Sequence, residues 1–67
     1  MGPDFPYHLA NAMYYATTLA EWLEACQQYR SLCPHKSWKE CFRFFVPKDS
    51  DLVCEIEQHL LANRLIT

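Results

Sequence analysis

The stretch that decides the fold is residues 7–30, YHLANAMYYATTLAEWLEACQQYR. Its apolar and aromatic residues recur with helical spacing. One row runs His8, Ala12, Tyr15, Leu19, Trp22, Cys26 and Tyr29, alternating steps of four and three. A second row, Leu9, Met13, Ala16, Ala20 and Leu23, lies beside it, while Asn11, Thr18, Glu21, Glu24 and Gln28 fall mainly opposite. The rows cross Thr17-Thr18 without a change of phase, which favours one long helix over about Tyr7–Arg30. A competing signal lies inside the same stretch. Thr18-Leu-Ala-Glu21 has the form of a capping box, in which hydroxyl and carboxylate satisfy the free N–H groups of a helix start. The β-branched pair also lowers helix propensity locally. On that reading a new helix begins near Thr18.

Outward from this stretch, Pro3 and Pro6 make residues 1–6 an extended lead-in. Pro34 marks a connection over 31–36, and Ser37-Trp-Lys-Glu40 is a second capping box. It opens a short basic, aromatic helix whose Trp38, Cys41, Phe42 and Phe45 share one face. Pro47 ends it by forcing the preceding residue out of helical geometry. Lys48-Asp-Ser-Asp51 is turn-like, with Ser50 or Asp51 as the cap of a third, amphipathic helix. Its inner stripe is Val53, Ile56, Leu60 and Leu61, and it frays near Asn63. The single Gly argues against hairpin-rich β structure. The expected fold is thus all-α: one domain over 1–67, made of a long helix, a short basic aromatic helix and an amphipathic helix. A homodimer through the long helix is expected as well.

The dimer expectation comes from composition. Hydrophobic residues make up 51% of 67 residues and ten side chains are aromatic, which excludes a disordered chain. So small an interior cannot cover them all, and the surplus points to an interface. Rings with a polar edge suit interfaces, so Tyr15, Leu19, Trp22 and Tyr29 are the expected contact residues for a partner or a second copy. The competing assignment puts the same row in the core. The N-terminus lacks the basic start and apolar run of a signal peptide, and no apolar stretch approaches the ~20 residues of a membrane span. The expectation is a cytoplasmic protein with no membrane contact.

Charge is uneven along the chain. Residues 1–29 contain no Lys or Arg, whereas 30–48 hold Arg30, Lys36, Lys39, Arg43 and Lys48 against Glu40. Lys36, Lys39 and Arg43 recur at helical steps and could meet phosphates, the mark of a small nucleic-acid-binding regulator. Against it stand the net charge of −2, the Glu40 within the run and the scarcity of base-reading Asn or Gln nearby. The cysteines offer a third alternative, a zinc- or disulfide-stabilised structural module. Cys26, Cys33, His35 and Cys41 lie close in sequence but lack the Cys-x₂₋₄-Cys knuckle of structural zinc sites. Cys26, Cys41 and Cys54 fall on or beside apolar stripes, where a thiol acts as a small buried hydrophobe. Free thiols and no cofactor are expected. A Cys33–His35 nucleophile lacks the pocket and the oriented base that catalysis needs, so no enzymatic activity is expected. The functional expectation is an intracellular protein-binding regulator or inhibitor working through an apolar and aromatic helix face.

Overall fold

The structure, a computed structural model, describes residues 5–67, so the first four residues of the expected lead-in lie outside the described part. Four helices follow one another: α1 (Tyr7–Tyr14), α2 (Leu19–Leu32), α3 (Trp38–Phe44) and α4 (Ser50–Ala62). The described residues contain no strand. The described residues are all-helical as expected, and among them the expected three helices are corrected to four. The long helix over 7–30 divides between Tyr15 and Thr18.

Local chemistry accounts for the division. The Thr18 hydroxyl accepts from the Glu21 N–H at 3.1 Å. Glu21 Oε1 in turn accepts from both the backbone N–H and the hydroxyl of Thr17, each at 2.8 Å. This is a capping box shifted by one residue, with the carboxylate reaching Thr17 instead of the N-cap itself. Thr18 is held extended (φ −132°, ψ 158°), so the helix cannot run through it. α1 therefore folds back along α2, and this pair forms the principal packing of the chain.

The turn puts both apolar rows to work inside one molecule. Leu9, Ala10, Met13 and Ala16 meet Trp22, Ala25, Cys26 and Tyr29 in a single buried cluster. Cys41 and Phe45 complete it from the α3 side, and Leu52, Ile56 and Leu60 from α4. The Trp22 indole N–H donates to the Phe45 carbonyl at 3.0 Å in the interior. The Tyr14 hydroxyl donates to the neighbouring Phe44 carbonyl at 2.7 Å. These two bonds satisfy carbonyls at the end of α3 that have no partner within the helix. The Phe45 ring fills the junction, 5.0 Å from Tyr29 and 5.6 Å from Tyr14 in edge-on geometry.

α3 carries the full capping box expected from Ser37 and Glu40. The N-cap of α4 is Asp49, one or two residues before the expected caps. The Asp49 carboxylate accepts from Asp51 N–H at 2.9 Å and Leu52 N–H at 3.3 Å. Its buried stripe is Leu52, Ile56 and Leu60: Ile56 and Leu60 lie inside as expected, while Leu52 takes the place of the half-buried Val53 and Leu61 is exposed. The helix closes on Arg64, a non-glycine residue in left-handed conformation (φ 57°). Leu65 N–H bonds to Leu60 O at 2.8 Å and Arg64 N–H to Leu61 O at 3.1 Å, the Schellman pattern.

Candidate functional site: the groove between the first two helices

The turn at 15–18 lets two helices lie side by side without filling the space between them. The reason is side-chain size. Ala12, Ala16 and Ala25 all line this space, where larger side chains would fill it. What remains is a groove of about 380 Å³, lined by Leu9, Ala12, Tyr15, Ala16, Ala25 and, along its α2 side, Glu21, Glu24 and Gln28. Tyr15 stands at its lip with 70% of its surface exposed. Lys48 Nζ lies 5.8 Å from the Tyr15 ring centroid, near enough for a cation–π contact.

Of the four contact residues expected from sequence, the fold separates two pairs. Tyr15 is exposed and Leu19 half-buried. Trp22 (0% exposed) and Tyr29 (2%) belong to the interior, so in this fold they cover α3 and not a partner. Other large apolar groups stay open instead: Tyr7, Leu32, Phe44 and Val46 are all exposed. Ala12, small and exposed, gave no signal in the sequence beyond its place in the row.

The basic residues do not form a free stripe. Arg30 Nε donates to the Lys36 carbonyl at 3.0 Å and its guanidinium stacks over Trp38. Lys36 pairs with Glu40 at 3.9 Å, the one ion pair among the described residues. Lys39 and Arg43 remain exposed on a helix of seven residues. The Glu40 carboxylate is held below its ordinary pKa, chiefly by the Ser37 backbone N–H, so its charge persists beside Lys36.

Nor do the metal-type residues converge. Among the described residues no three His, Cys, Asp or Glu side chains come together, and the set Cys26, Cys33, His35 and Cys41 is split between interior and surface. Cys26 and Cys41 do meet in the core. The Cys26 thiol is pushed far up by its hydrogen bond to Cys41 and by burial, which keeps it protonated and unreactive. The Tyr29 hydroxyl is likewise raised, first by burial and then by Cys33 and Cys41. All four cysteines are free thiols, with Cys54 exposed and Cys33 half-buried.

A second hollow, about 430 Å³, is lined by Phe5, Pro6, Tyr29, Leu32, Cys33, His35 and Lys36. No helix among the described residues is long and apolar enough to cross a membrane. Compared with protein-family models, curated proteins and solved structures, the chain matches none.

Proposed function

We propose that this chain is a small protein-binding module, a regulator or inhibitor, that holds apolar side chains of another protein in the α1–α2 groove. The observation that carries the reading is the exposed Tyr15 ring at the lip of an open, alanine-floored groove. A folded monomer gains by covering apolar surface, and grooves of a few hundred Å³ with an aromatic lip accept anchoring side chains. Tyr is also a frequent energetic centre of interfaces, because its two-torsion side chain buries much area at small entropic cost.

The test is selection of helical peptides against the full chain, followed by mapping of amide shifts on isotope-labelled protein. Binders should perturb Leu9, Ala12, Ala16 and Ala25. Tyr15→Ala should weaken them by about 2 kcal/mol, roughly 30-fold, if Tyr15 is an interface centre. Ala12→Glu, at an exposed position, should abolish binding while leaving helicity unchanged. Shifts confined to α3, or binding indifferent to Ala12→Glu, would overturn the reading.

A further inference from the structure

We infer that the occupant of the α1–α2 groove is a basic amphipathic helix: apolar anchors along one face, flanked by Lys or Arg. This rests on the protein-binding reading above and adds the partner's chemistry to it.

The argument is one of charge. Glu21, Glu24 and Gln28 follow one another at steps of three and four, so they form a polar rail along α2 beside the apolar floor. That rail spans seven residues of helix, about 10 Å, or two turns. It matches in length the spacing between the i and i+7 anchors of a helix laid alongside it. Among the Lys and Arg residues, α1 and α2 hold Arg30 alone, in the last turn of α2, and its side chain is engaged by the Lys36 carbonyl and the Trp38 ring. Five of the six Lys and Arg residues of this chain fall within 30–48, the sixth being Arg64 at the end of α4, and Lys48 lies over the Tyr15 ring at the lip.

Both carboxylates stay available. Glu21 spends Oε1 on Thr17, leaving Oε2, and the Thr17 backbone N–H holds its pKa below the ordinary value, so it is charged at neutral pH. Glu24 receives only a long bond from Gln28 Nε2, at 3.4 Å. An acidic helix in this groove would set like charges against the rail, and a neutral one would leave it unanswered. A basic one answers both carboxylates at the groove's edge, where water screens but does not abolish the attraction. An extended strand is disfavoured as occupant, since the described residues offer no sheet edge to pair with its backbone.

Two synthetic helical peptides with identical leucine anchors decide the matter, one flanked by lysines and the other by glutamates. Each is titrated against the full chain by fluorescence anisotropy at low and high salt. The lysine peptide should bind roughly five- to ten-fold tighter at low salt, the scale expected for two exposed charge pairs. High salt should narrow that gap, and Glu24→Gln should narrow it without changing the fold. Equal binding of both peptides, or tighter binding of the glutamate peptide, overturns the inference while leaving the groove a protein-binding site. Binding of neither, or binding that survives Ala12→Glu, overturns the protein-binding reading itself. Sedimentation of the chain alone provides the last arm: a dimer dissolved by Ala12→Glu would make a second copy the occupant and refute the basic partner.

Discussion

Trp22→Phe is the substitution that best separates core from interface in the row His8–Tyr29. Trp22 is fully buried, its ring meets Phe42 edge-on at 6.2 Å, and its N–H donates to Phe45 O at 3.0 Å. Phenylalanine keeps an aromatic ring but removes the donor, leaving a buried carbonyl unsatisfied. That alone costs about 1–3 kcal/mol, and the lost ring volume adds a cavity term. A net loss of about 2–3 kcal/mol is the expected outcome. A domain of this length has a total stability of only about 3–10 kcal/mol, so the change removes a large share. At roughly 4–8 °C per kcal/mol, the melting temperature should fall by about 8–24 °C. Tyr15→Ala, at a position 70% exposed, should cost within about 0.5 kcal/mol. Thermal and urea melts followed by circular dichroism measure both, with sedimentation on the same samples. If Trp22→Phe is as mild as Tyr15→Ala, or if it changes the sedimenting mass without changing the melt, Trp22 faces a second molecule and the packing described above is refuted.

Three further outcomes follow from particular contacts. Arg64→Gly should stabilise the chain by about 0.5–1 kcal/mol, because the left-handed residue closing α4 carries a steric cost that glycine escapes at a smaller entropic one; a lower melting temperature would contradict the Schellman closure. Glu21 and Glu40 both have depressed pKa values in the fold, so they add stability above the ordinary carboxylate value of 4.5, and that stability is lost as pH falls through their lowered values. The urea midpoint should therefore drop between about pH 5 and about pH 3, and drop less in the Glu21→Gln/Glu40→Gln double variant. Iodoacetamide applied to the native chain should modify Cys54 and Cys33 first, and Cys26 and Cys41 only on unfolding; rapid labelling of all four thiols, read by intact mass, would contradict the buried pair.

The boundary between α1 and α2 shows where sequence reading reached its limit. Four residues, 15–18, separate the two helices, close to one turn of 3.6 residues. Taking one turn out of a helix barely alters the phase of its apolar rows. Periodicity alone therefore cannot register this break, and only the Thr18–Glu21 capping chemistry reports it. Ser37–Glu40 faced no such conflict, because the connection before it has no apolar row to continue, and that helix start was legible as it stands. In α4 the expected Ile56 and Leu60 are buried, but Leu52 replaces Val53 for a related reason: both are apolar, and tertiary packing chose between them.

The break also changes what the aromatic residues do. An uninterrupted helix over 7–30 would be about 36 Å long, and two shorter helices could not cover both of its apolar rows. The surplus then has to face a partner, which is why Trp22 and Tyr29 read as contact residues. Folding α1 back on α2 supplies the missing cover from within the chain and draws those two rings inside. The same fold lines the seam between the helices with Ala12, Ala16 and Ala25, side chains too small to fill it. Apolar exposure is thereby moved from the large rings of the row to the alanine-lined groove beside Tyr15. The break that hides Trp22 is also what creates the groove.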